Sequence, residues 1–92
     1  IGRFPMAGPR DVARAAAAAR AAFPVWRARP WRERLSMLRD AAERIAAQAA
    51  DLAALMSIEV GKNRLEAYGD AHESADLLRY YCDQVEQADG FV

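Results

Sequence analysis

Cysteine and histidine are almost absent from this sequence, with one of each in 92 residues. The lone Cys82 excludes an internal disulfide and any cysteine-rich metal framework, and it fits a reducing compartment. His72 has no second His, Cys or acid at ligand spacing, because the adjacent Glu73 points elsewhere on a helix, so no metal site is expected. Long hydrophobic runs are missing too. None approaches the roughly 18 residues of a membrane-spanning helix, and no charged-then-apolar secretion signal opens the chain. A soluble, cytoplasmic protein with no membrane partner is the expectation. Net charge is also zero, but the two signs are segregated. Residues 1–50 hold ten Arg against four acids, and residues 51–92 hold three bases against nine acids. Solvated helix faces of opposite sign account for this more simply than a nucleic-acid footprint.

The residues present favour helix. Of the chain, 53% is hydrophobic, but much of that is alanine, which buries little area per residue, so the core should be thin. Residues 1–10 form an extended lead-in: Gly2, Pro5, Gly8 and Pro9 rule out a helix there, and Ile1-Gly2-Arg3-Phe4 suits the end of an edge strand. Asp11 is a good N-cap, Ala13–Ala22 has the highest helix propensity in the chain, and Pro24 is a stop, which predicts a helix over 11–23. Its apolar side carries Val12, Ala16, Ala19 and Phe23.

Trp26 and Trp31, interleaved with Arg27, Arg29, Arg32 and Arg34, resemble a stacking-and-phosphate patch for single-stranded nucleic acid. An indole closing the gap between two helices under arginine stems is the commoner arrangement, and no nucleic-acid partner is expected. After Pro30, the positions Leu35, Leu38, Ala42, Ile45, Ala49, Leu52 and Met56 step by three or four and make one stripe. A break near 48–50 divides it into helices over 31–48 and 49–60. A second stripe, Leu65, Tyr68, Ala71 or His72, Ala75, Leu78, Cys82 and Val85, predicts a last helix over 64–88, ended by Gly90. Gly69 in its interior suggests close approach by another backbone. The fold class is all-α, with three to four amphipathic helices after the lead-in.

Between the stripes lies a corner made of Glu59, Gly61, Lys62 and Asn63. Gly61 suits a left-handed residue that ends a helix, and Asn63 with Glu66 three residues on is a loose capping pattern. Glu59 and Lys62 carry acid and base chemistry, but at a helix corner a salt bridge or cap is the ordinary role.

Glu59-Val60-Gly61-Lys62-Asn63, then Leu65-Glu66-Ala67, then Asp76-Leu77-Leu78-Arg79-Tyr80-Tyr81 resemble the N-terminal helical part of the NAD(P)-dependent aldehyde dehydrogenase superfamily. Within it, the Gly-Lys corner and the Tyr-Tyr pair are most similar to the 1-pyrroline-5-carboxylate, or glutamate semialdehyde, dehydrogenase type. Asp11-Val12, Ala22-Phe23, Trp26 and Glu33-Arg34 ahead of Leu38 fit the same pattern, while Arg29 stands where many relatives place Ser or Thr.

The resemblance implies a piece of an α/β enzyme whose helices flank a cofactor-binding domain. The parent would use NAD or NADP, and the rest of the chain would be the partner within a homo-oligomer. Such enzymes use a cysteine thiolate to form a thiohemiacetal, but Cys82 sits mid-stripe without the family's Gly-Gln-x-Cys setting. No catalytic, cofactor-binding or metal-ligating residue is therefore assigned here, and the piece alone should be inactive. The resemblance places the middle of the last helix near the aldehyde entrance, which makes Asp70, Glu73 and Ser74 the candidate substrate-touching residues, with Glu73 preferred. By period alone all three lie on a polar, solvated side. A stand-alone helical interaction module that pairs through the two stripes is the alternative reading.

Overall fold

The computed structural model describes residues 2–91, which among themselves form helices and connecting turns with no strand. They fall into two compact units, one ending at Pro30 and the other beginning at Trp31.

In the first unit, residues 2–7 carry no regular structure. Ile1 lies outside the described residues, and Gly2, Arg3 and Phe4 do not form the edge strand suggested for them. A strand needs a ladder partner, and no other strand lies among the described residues. Helix α1 spans Pro9–Ala28 and is both earlier and longer than the 11–23 read from sequence. Its N-cap is Gly8, with Pro9 in the first turn, where a missing N–H costs nothing. Asp11 is not the cap. It occupies the third helical position, and its Oδ2 accepts the Gly8 N–H at 3.0 Å.

Pro24 does not stop α1, although an interior proline forfeits one helical hydrogen bond. The Ala13–Ala22 run before it is strongly helix-forming, and one further turn is completed after it. The stop falls at Arg29, which takes the extended conformation (φ −69°, ψ 133°) that the following Pro30 favours. No described residue of α1 is buried, and Val12 and Phe23 remain exposed.

In the second unit, α2 spans Trp31–Ala47, α3 spans Ala49–Val60 and α4 spans Arg64–Gln87. Gln48 separates α2 from α3. Its N–H is shared between the carbonyls of Arg44 (3.2 Å) and Ile45 (3.1 Å), so the backbone changes pitch without losing a donor. The buried face crosses this break uninterrupted, through Leu35 and Ala42 on α2 and Ala49 and Ala53 on α3, with Ile45, Leu52 and Met56 half-buried beside them. Leu38, read as part of that stripe, stands at its edge and is 38% exposed.

α4 returns antiparallel along α2 and α3. Its buried line is Ala67, Ala71, Ala75 and Cys82, with Leu78 and Val85 half-buried beside it. The stripe read from periodicity holds from Ala71 onward, but its first two members, Leu65 and Tyr68, are replaced by Ala67. Leu65 is 83% exposed and Tyr68 46% exposed. The reason is steric: methyl side chains on both helices let the backbones approach closely, and the larger residues are turned outward. Gly69 has nothing within 4 Å of where its Cβ would be, so the close neighbour inferred for it is absent among the described residues.

Ion pairs lie along this packing. Arg39 donates to Asp83 at 2.9 Å and to Glu86 at 2.5 Å, while Arg79 donates to Glu43 at 2.9 and 3.1 Å and to Asp76 at 2.9 Å. Both guanidiniums are pushed further toward the charged form, Arg39 chiefly by the hydrogen bond to Glu86 and Arg79 chiefly by that to Glu43. The Arg39 pairs thus match the basic first half to the acidic second half, whereas Arg79–Glu43 runs the other way.

After α4, Asp89–Phe91 make a short 3-10 turn with Gly90 at φ 81°. A Cβ on Gly90 would lie 2.5 Å from the Trp31 indole, and the Arg32 guanidinium lies 4.1 Å from the ring centroid. This makes Trp31 the indole that fills a helix junction in this unit.

Two glycines with left-handed backbones therefore differ in surroundings. Gly61→Ala should cost roughly 1–2 kcal/mol from backbone strain alone, because nothing approaches it. Gly90→Ala adds a clash with Trp31 and should cost about 1–3 kcal/mol more. Urea unfolding of the two variants, followed by circular dichroism, checks the order. Ala75→Leu, at a position with 0% exposure, should destabilise by about 1–3 kcal/mol, whereas Ala54→Leu, on an exposed face, should change the same midpoint little.

Candidate functional site

The corner between α3 and α4 is built from local chemistry. Gly61 ends α3 at φ 72°, ψ 19°, and its N–H bonds to the Ser57 carbonyl at 3.1 Å. Asn63, in an extended conformation, accepts the Glu66 N–H on Oδ1 at 3.0 Å and starts α4. Lys62 sits between the two caps and reaches forward to donate to Asp70 on the second turn of α4. Both side chains are partly shielded, at 33% and 43% exposure.

The three candidate substrate-touching residues take up different situations. Asp70 is half-buried and engaged by Lys62. Ser74 Oγ donates to the Asp70 backbone carbonyl at 2.8 Å, one turn back along the same helix. Glu73 is exposed and makes no hydrogen bond or ion pair among the described residues. Ser74 also lines a depression of about 440 Å³ with Ile45, Leu52, Leu55, Met56, Ala71 and Glu59.

The structure therefore brings Ser74 together with Glu59 and joins Asp70 to Lys62, while Glu73 stands apart on the solvent side. Glu59, grouped with the corner by sequence, lies on the wall of this depression and takes no part in the capping bonds. A second depression of about 610 Å³, lined by Ala50, Ala53, Ala54, Arg64, Leu65 and Tyr68, is almost wholly apolar. Sequence reasoning missed it because Leu65 and Tyr68 were placed inside the fold.

Lys62 holds its proton more tightly than an ordinary lysine. The hydrogen bond to Asp70 is the main cause; partial desolvation opposes it, and the charges of Asp70, Glu66 and Glu73 reinforce it. The residue acts as a fixed cation that neutralises one acid of this helix start, and it is poorly suited to act as a base.

Cys82 is 1% exposed, and its Sγ lies 3.9 Å from the Leu35 carbonyl, inside the α2–α4 seam. His72 is half-buried, with its ring 4.6 Å from that of Tyr68 in an edge-on arrangement. Among the described residues no group of three or more His, Cys, Asp or Glu is placed to hold a metal ion. No helix among them is long and apolar enough to cross a membrane.

Comparison with known proteins bears on what this arrangement belongs to. The aldehyde dehydrogenase family model matches residues 1–92. The chain belongs to the aldehyde dehydrogenase family. It is 36% identical over 90 residues to glutarate-semialdehyde dehydrogenase of Pseudomonas aeruginosa, covering 98% of this chain and 19% of that protein. Aminoaldehyde dehydrogenase 2 of Zea mays is 37% identical over 95 residues, with 98% and 19% covered. To 1-pyrroline-5-carboxylate dehydrogenase of Staphylococcus haemolyticus the identity is 33% over 91 residues, with 98% and 18% covered. The chain spans about a fifth of the length of these relatives. No solved structure matches.

The Lys62–Asp70 pair yields a pH prediction. The folded-state pKa of Lys62 lies above its unfolded value, so the pair's contribution is fully present below about pH 10.4. It is lost as pH rises through the folded-state value. The urea midpoint of the parent sequence should therefore fall more steeply above about pH 10.4 than that of Lys62→Met. Equal slopes would show that the pair is not formed in solution.

Proposed function

We propose that this chain is the N-terminal helical part of an NAD(P)-dependent aldehyde dehydrogenase that oxidises an aldehyde to a carboxylate, with glutamate semialdehyde as the substrate and glutamate as the product. The observation that carries the reading is the family match across residues 1–92. Semialdehyde and 1-pyrroline-5-carboxylate dehydrogenases among the relatives support the substrate class. In this reading the helices flank the cofactor-binding domain, the remaining polypeptide is their partner, the whole enzyme is a cytoplasmic homo-oligomer, and α4 contributes to the aldehyde entrance.

The nicotinamide cofactor, NAD or NADP, supplies the hydride acceptor. Two of the helix starts of this chain, those of α1 and α4, offer it no phosphate cradle. Phosphate recognition at a helix start needs free backbone N–H groups and favours no nearby anion. Here the Glu66 N–H at the start of α4 is taken by Asn63 Oδ1, with the Glu66 carboxylate in the first turn, and the Gly8 N–H at the start of α1 is taken by the Asp11 carboxylate. Cofactor binding and the reacting thiolate are therefore assigned to the rest of the enzyme, and this piece alone is assigned no activity.

What α4 contributes is charge and shape. Lys62 is bonded to Asp70, whereas Glu73, close enough to interact with the Lys62 charge but not bonded to it, turns its carboxylate toward solvent. A carboxylate at the entrance acts on approaching aldehydes by their charge: it disfavours anionic ones and favours cationic ones. In the full-length enzyme, Glu73→Ala should raise kcat/KM for an anionic semialdehyde relative to an uncharged aldehyde by about three- to tenfold, on the order of 1 kcal/mol. Unchanged ratios across aldehydes would remove Glu73 from the entrance.

The assignment of the whole protein has its own check. The complete gene product should reduce NAD or NADP in the presence of glutamate semialdehyde, while the 92-residue chain should give no reduced cofactor under the same conditions. A full-length protein inert toward every aldehyde tried would overturn the reading.

A further inference from the structure

We draw no further inference here: the strongest candidate, the apolar groove between α3 and α4 lined by Ala50, Ala53, Ala54, Leu65 and Tyr68, carries none because nothing in the structure shows what covers it.

Discussion

Close approach of α4 to α2 and α3 through alanine is the constraint on which the second unit depends. Ala42, Ala49 and Ala53 on one side meet a line of Ala67, Ala71 and Ala75 on the other, and every one of them is buried. Such a seam gains little from hydrophobic area, because each methyl removes only a small apolar surface from water. Its value lies in distance: where alanines face one another, the backbones can pack tightly and dispersion contacts are numerous, with Leu35 and Cys82 the larger buried residues of the seam. The same tightness leaves no room inside for Leu65, Tyr68 or Ile58, which stand outward and exposed.

Polar interactions set the register that the alanines leave loosely specified. An alanine line looks much the same if one helix slides by a turn, whereas Arg39 against Asp83 and Glu86, and Arg79 against Glu43, match at one register only. These pairs are solvent-exposed and individually weak. Their effect is selective, because a slipped register would leave arginines facing arginines or unpaired acids. At the two ends of the hairpin, local chemistry closes the structure: Gly61 and Asn63 at one, and Gly90 under the Trp31 ring at the other.

The same geometry bears on the family role. Large apolar residues on the outer side of α3 and α4 sit beside an apolar depression, and the acids of α4 lie on the neighbouring side. The chain belongs to the aldehyde dehydrogenase family and spans about a fifth of the length of its relatives, and its described core is mostly alanine. The three entrance candidates show how unlike neighbouring residues on one helix can be. Asp70 is held by a lysine, Ser74 is tied back to its own helix, and Glu73 makes neither kind of contact.

Local signals made much of this readable beforehand. The all-α class followed from two stripes of helical period, and the resemblance at Gly61-Lys62 and Tyr80-Tyr81 pointed to the family. Where a cap depends on residues adjacent in sequence, as at Gly61 and Asn63, residue type alone was informative, because left-handed conformations and helix-start donors have few good partners. Pro24 misled for an equally local reason. Its alanine-rich surroundings carry the helix through it, while Pro30 is the proline that forces an extended neighbour.

What the amino-acid order by itself determined is where helices can begin and end and which residues carry charge. The tertiary structure alone decided how the first turns of α4 face inward, through Ala67 and not through Leu65 and Tyr68, which are exposed. Periodicity carried the line through Ala71, Ala75 and Cys82 but extended it back to Leu65 and Tyr68. At that end the partner surface selected Ala67, whose small side chain permits an approach that the larger ones prevent. Contacts such as Arg39 to Glu86, 47 residues apart, exist only once that approach has been made.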